Sequence, residues 1–227
     1  MPHSEDGLAS SPNRGRALTE RLLEHSLVYR AWQAPFAERK FAPLRRYNDI
    51  GAARRVLDVG CGPGTNTAHF DRSEYLGIDF NPDYVATARD RFRRDYVVAD
   101  VTTYTVDPAK RFDFILLNSL LHHIETAGVR RILAHLATLL TEDGHIHILD
   151  LVLPDHMSVG RLLAHWDRGH YARPLDTWRT LFTEHFEPVV LEPYPLGMAG
   201  VALWNMVYFK GRGRVAVAAG RRGKNGE

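Results

Sequence analysis

Between residues 55 and 151 the chain alternates strand-length apolar runs with helix-forming stretches, and that order leaves few folds open. The runs are RVLDVG (55–60), EYLGIDF (74–80), YVVADV (96–101), FDFILLN (112–118) and HIHILDL (145–151). A glycine loop and a short helix are expected after the first run. After the second, Asn81 offers an N-cap and Pro82 a first helical residue, with Tyr84, Val85, Ala88 and Phe92 on one face. Val129, Ile132, Leu133, Leu136, Ala137 and Leu140 form another helical stripe. Short apolar strands linked by helical crossovers make a parallel sheet covered by helices on both faces. Further on, helical pieces near 158–168 and 174–185 lead to PVVLEPYPL and VALWNMVYFKG, joined by the short link from Gly197 to Gly200. Those two runs read as an antiparallel hairpin at the sheet edge. The expected fold is α/β, a doubly wound, mostly parallel seven-stranded sheet with a C-terminal antiparallel hairpin.

The flanks differ from this centre. Residues 1–17 are polar and read as a disordered leader. Residues 18–54 carry Leu18, Leu22, Leu23 and Leu27 at helical spacing, then aromatics mixed with charge, and read as a helical cap. The main domain is expected over 55–211, with an insert at about 154–187, and a flexible basic tail over 212–227. The formal charge of +2 is uneven: residues 211–227 hold a surplus of +4, which leaves −2 for the remainder. No basic patch for nucleic acid is visible in the body of the chain. No apolar run reaches the roughly 20 residues that span a bilayer, and the N-terminus lacks an apolar signal core. The expectation is a cytoplasmic protein with no membrane partner. Cys61 is the one cysteine, so neither an internal disulfide nor a thiolate metal cage can form.

The stretch VLDVGCGPG (56–64) carries the chemistry. Gly60, Gly62 and Gly64 follow a strand and precede a helix, so backbone N–H groups can approach a ligand closely. The dinucleotide fingerprint G-x-G-x-x-G needs a glycine where Thr65 stands, and no lysine follows at P-loop spacing. Cys61, inside the loop, reads as a small residue that fits a tight turn.

VLDVGCGPGTNT resembles the first motif of class I S-adenosylmethionine-dependent methyltransferases of the small-molecule type, and the resemblance continues in order over about 55–151. It implies a Rossmann-like sheet, S-adenosyl-L-methionine as cofactor and S-adenosyl-L-homocysteine as product. Asp79, 21 residues after Asp58, ends the second strand where that family binds the ribose hydroxyls. Asp100, followed by Val101, resembles the acid that accepts from the adenine amino group. FDFILLNSLLHHI, with Asn118 ending its strand, resembles the motif beside the methionine part and the acceptor. The residues are suited to these parts: Asp58 can meet an amino group directly or through water, Asp79 can accept from a diol, and Phe80 can pack on a purine.

A sulfonium donor brings its own leaving group, so the protein has to align acceptor, methyl and sulfur and to remove a proton from a hydroxyl. His122 and His123 stand at the mouth, and His123 matches the family's recurrent histidine. Tyr29 and Trp32 are expected in a lid, with His165, His170 and Tyr171 reaching the acceptor from the insert. The aromatic content of cap and insert suggests a partly apolar small-molecule acceptor, methylated on oxygen first, with nitrogen or carbon as options. A cofactor-binding protein without transfer, or a nicotinamide-dependent oxidoreductase, are the competing readings. His145, His147 and Asp150 are not expected to bind a metal; the two histidines alternate along a strand and read as a polar side of it.

Overall fold

The computed structural model describes residues 36, 38–154, 171–198 and 201–214. Residues 1–41 and 42–227 form two separate compact units. The expected lid residues Tyr29 and Trp32, the leader, and His165 and His170 lie outside the described residues, as do 215–227 of the tail.

Seven strands form one sheet: β1 (Arg55–Val59), β2 (Glu74–Asp79), β3 (Asp95–Val98), β4 (Phe112–Asn118), β5 (Leu140–Val152), β6 (Phe186–Met198) and β7 (Val201–Gly213). Their order is β3-β2-β1-β4-β5-β7-β6. The first five pair in parallel, and β7 runs antiparallel to both β5 and β6. The order reverses between β1 and β4, which opens a crevice beyond their C-terminal ends. Three prolines, Pro188, Pro193 and Pro195, lie in β6, and β6 is an edge strand, where a missing backbone N–H is tolerated.

Four helices are described: α1 (Ala42–Tyr47), α2 (Pro82–Phe92), α3 (Thr126–Leu139) and α4 (Leu175–His185). Asn81 caps α2 as the sequence predicts, its side chain accepting from the N–H groups of Asp83 and Tyr84. The apolar stripe of α3 and Trp178, Leu181 and Phe182 of α4 pack on one sheet face built from Leu57, Val59, Ile115, Leu117, Ile146, Ile148 and Phe209. Each strand therefore has its end fixed by burial of alternate side chains on that face.

Four local expectations are corrected. The helix expected after the glycine loop is a 3-10 turn, Thr67–Phe70, because Asn66 at its start spends its side chain on Asp58 and not on a cap. β3 stops at Val98 and not at 101; Asp100 turns the chain by accepting from Thr102 N and Oγ1, both at 2.8 Å. β7 runs to Gly213, two residues past the expected domain end, with Arg212 paired opposite Glu187. His147 is buried and does not stand on a polar side: its ring stacks on Phe114 at 3.8 Å and its Nδ1 meets Tyr208 Oη at 3.0 Å. Asn48 Nδ2 donates to that phenol at 2.8 Å, so residues assigned to the cap pack on the sheet of the main unit. Burial holds the His147 ring neutral, well below its ordinary value of 6.5.

Candidate active site

Gly60, Gly62 and Gly64 all adopt positive φ, at 69°, 53° and 79°. The three differ in what surrounds them. A Cβ on Gly60 would lie 2.9 Å from Leu120, and one on Gly64 would lie 2.8 Å from Phe92. One on Gly62 would meet nothing within 4 Å, so this glycine borders open space at the mouth of the crevice. Gly62 N donates to Asp79 Oδ2 and Asn81 N to Asp79 Oδ1, each at 2.9 Å. The Asp79 carboxylate thus joins the loops after β1 and β2 and keeps a further lone pair on each oxygen. Phe80, the next residue, is 80% exposed, an unusual state for so large an apolar ring. Tyr84 in the first turn of α2 and Val98 at the end of β3 are exposed as well.

Asp100 is exposed, and the two bonds from Thr102 hold its carboxyl below the ordinary range. Val101 is half-buried and packs against the core. Cys61 is buried, and burial raises its thiol far above the ordinary value, so it stays protonated as a loop filler.

Asp58 is fully buried. Asn66 Nδ2 reaches both its oxygens at 3.1 Å, and Tyr75 Oη donates to Oδ2 at 2.6 Å. Burial pushes its pKa up to about 6, against the opposing pull of those donors. Asn66 and Tyr75 thus flank the carboxylate that the sequence places next to the glycine loop. Asn118 Nδ2 donates to Asn66 Oδ1 at 2.9 Å, and Asn118 Oδ1 is buried without a partner.

The histidine pair divides. His122 is 3% exposed, and its Nδ1 donates to Asp150 Oδ1 at 2.6 Å. Asp150, with no exposure, also accepts from Leu121 N at 2.7 Å and Leu151 N at 2.8 Å. Burial alone would raise the Asp150 pKa; the His122 ring and the two N–H groups outweigh it and hold it below the ordinary value. Arg173 closes the loop from the other side, bonding Leu121 O, Ile124 O and Tyr171 O and lying 4.8 Å over the Trp178 ring. Tyr171 is 46% exposed and its N–H donates to His122 O. His123 is exposed on the same turn. Asn66, Tyr75 and Arg173 are absent from the sequence reading, and Asp150 entered it only as a doubtful metal ligand. Asp150 is instead committed to His122. Among the described residues, no group of three or more His, Cys, Asp or Glu side chains could hold a metal ion.

Residues 56–144 match the family described as methyltransferase domain. That match supports a class I S-adenosylmethionine-dependent methyltransferase family for this stretch. The chain is 32% identical over 114 residues to a trans-aconitate 2-methyltransferase of Methylobacterium radiotolerans, covering 48% of this chain and 41% of that one. It is 30% identical over 91 residues to a ubiquinone biosynthesis O-methyltransferase of Bradyrhizobium diazoefficiens, covering 38% and 36%. The chain thus spans less than half the length of these relatives. Among solved structures, N-methyltransferase NodS from Bradyrhizobium japonicum, in complex with S-adenosyl-l-homocysteine, superposes with a TM-score of 0.61 at 19% identity over 78% of this chain and 87% of that one. A Burkholderia thailandensis 1,6-didemethyltoxoflavin-N1-methyltransferase superposes at 0.62 and 23% identity, over 92% and 93%. At these identities the superpositions show the shared fold. No helix among the described residues is long and apolar enough to cross a membrane.

Proposed function

We propose that this protein transfers a methyl group from S-adenosylmethionine to a small-molecule oxygen, with His123 as the base that takes the acceptor's proton. The observation that carries the reading is the Asp79 carboxylate. It is 8% exposed, fixed by the N–H groups of Gly62 and Asn81, and followed by the exposed Phe80 ring. A diol and a purine match those two groups, and the open space at Gly62 leaves room for the nucleoside beside them. Asp100 would accept from the adenine amino group, with Val101 beside it. S-adenosylmethionine supplies an electrophilic methyl group whose departure needs no acid from the protein. The chain's own task is to hold that donor, orient the acceptor in line and receive one proton.

His123 suits the base because it is exposed, whereas the Nδ1 of His122 is committed to Asp150. His122, Asp150 and Arg173 set the turn that presents His123. The exposed Tyr171 ring beside this turn supports a partly apolar acceptor. Oxygen is favoured by the curated relative named as a ubiquinone biosynthesis O-methyltransferase.

The test is single-turnover transfer of labelled methyl to phenols, carboxylic acids and amines by the wild type and His123→Ala, over about pH 5.5 to 8.5 to bracket an ordinary histidine. A hydroxyl should be methylated, with the variant slower by about 10²- to 10⁴-fold. Equal rates for the two proteins would remove His123 from the chemistry. Transfer to amines alone would overturn the choice of oxygen.

A further inference from the structure

At the opposite end of the strands from the cofactor crevice lies a cavity of about 870 Å³, a volume within the range of small-molecule sites. Arg55, Glu74, Asp95 and Phe112, the first residues of β1, β2, β3 and β4, all line it. The end of α2 and the segment 104–110 supply its other walls. Tyr75 and Tyr96 stand between this cavity and the glycine loop. Both rings are buried, with the Tyr75 phenol on Asp58 and the Tyr96 phenol on Thr67, so the cavity and the crevice are distinct spaces.

The lining carries five basic side chains, Arg55, Arg89, Arg93, Arg94 and Lys110, against two acids, Glu74 and Asp95. That surplus of +3 lies within residues 1–210, whose formal charge is −2. The partners of these cations do not cancel it. Among the described residues only Arg55 of the five meets a carboxylate, Glu74 at 2.6 Å. Arg94 donates to the carbonyls of Phe70, Asp71 and Ser73, and Arg89 to that of Tyr96. Such neutral acceptors hold a guanidinium in place and leave its charge standing. Arg93 and Lys110 are exposed, and neither side chain has an ion pair or hydrogen bond among the described residues. Arg93 also sits at φ 50°, a left-handed helix end where glycine is the favoured residue, so a cation is held there against the preference of the backbone. Between the charges the wall is apolar: Leu76, Tyr104 and Val106 are half-buried, packing on the core while lining the cavity.

We propose that this cavity is a second binding site, for a small organic polyanion that carries several phosphate, sulfonate or carboxylate groups on a planar or apolar body. Arg93, Lys110 and the fixed guanidinium groups of Arg89 and Arg94 take the anionic groups, and Leu76, Tyr104 and Val106 cover the body. The inference goes beyond the methyl-transfer reading and stands without it, because none of these cations belongs to the cofactor crevice.

Fluorescence anisotropy of pyranine, a planar aromatic trisulfonate, tests this on the full chain. The dye should bind saturably, be displaced by inorganic triphosphate and stay bound in excess S-adenosylhomocysteine. Arg93→Gly combined with Lys110→Ala should weaken it by roughly 10-fold or more. Glycine suits the left-handed position of Arg93, so this loss should come with a melting temperature no lower than that of the wild type. Arg111→Ala removes a neighbouring charge from outside the lining and should change the affinity by less than about twofold. Unchanged affinity in the double variant would place the dye on another basic surface and overturn the site. Equal weakening by Arg111→Ala would reduce the binding to general charge attraction and overturn it as well. So would displacement of the dye by S-adenosylhomocysteine, or a wild-type dissociation constant above about 1 mM.

Discussion

Asp58 and Asp150 are both fully buried, both lie near the C-terminal ends of strands of the same sheet, and differ in almost everything else. Asp58 is held by neutral donors, Asn66 and Tyr75, and burial wins: its pKa climbs to about 6. Asp150 is held by the His122 ring and two backbone N–H groups, and the partners win: its pKa falls below 3.8. The difference teaches that depth of burial does not set the charge of a carboxylate; the donors around it do. It also separates two jobs. Asp150 has its partners inside the fold and serves to lock the turn after β4. Asp58 is left short of positive charge, with the neutral Asn66 and Tyr75 as its donors.

Removing the locked carboxylate should have the largest consequence. Asp150→Ala leaves His122 and two N–H groups buried without their acceptor, and should cost about 3–5 kcal/mol in urea unfolding at neutral pH. A loss under about 1 kcal/mol would mean that the turn is held by Arg173 alone. Next comes Asp79, which has its fold partners and a ligand-facing side. Asp79→Ala should weaken S-adenosylhomocysteine by roughly 10- to 150-fold in calorimetry while the protein stays folded. Unchanged affinity would remove the ribose assignment.

The pH dependence of stability separates the two buried acids by sign. A raised folded pKa gives Asp58 a contribution that is full below about 3.8 and is lost as the pH rises through about 6. A lowered one gives Asp150 the opposite: stability present above 3.8 and lost as the pH falls through its folded value. Asp58→Asn should therefore abolish a decline on the order of 2 kcal/mol between about pH 4 and 6, read from urea midpoints. If Asp58→Asn left that slope intact, the carboxylate would not be the group that titrates. The smallest effect belongs to the exposed His123: its replacement by Ala should change S-adenosylhomocysteine affinity by less than about threefold, the scale of an ordinary surface substitution. A larger loss in titration calorimetry would place His123 against the cofactor.

The same contrast explains what the sequence reveals. The ends of β1, β2 and β4 are legible because apolar runs stop at Val59, Asp79 and Asn118 and glycines follow the first of them. The parallel order and the terminal hairpin follow from alternation and from a C-terminal pair of strand-like runs. The inner contacts are not legible. Asn66 meets Asp58 across eight residues, His122 meets Asp150 across 28 and Arg173 meets Leu121 across 52. No local period marks such pairs, and HH after a strand does not say which ring turns inward. Asp100 shows the converse: a side chain that accepts from its own turn ends β3 before the apolar pattern does.

The most direct measurement of the account is a carbon-13 NMR titration of the aspartate carboxyl carbons, with Asp58 and Asp150 assigned by Asp58→Asn and Asp150→Asn. It predicts that Asp58 titrates near 6 in the free protein and moves down on saturation with S-adenosylhomocysteine, while Asp150 remains ionised to below 3.8 throughout. An Asp58 that titrates at the ordinary carboxylate value, or that ignores the ligand, would contradict it.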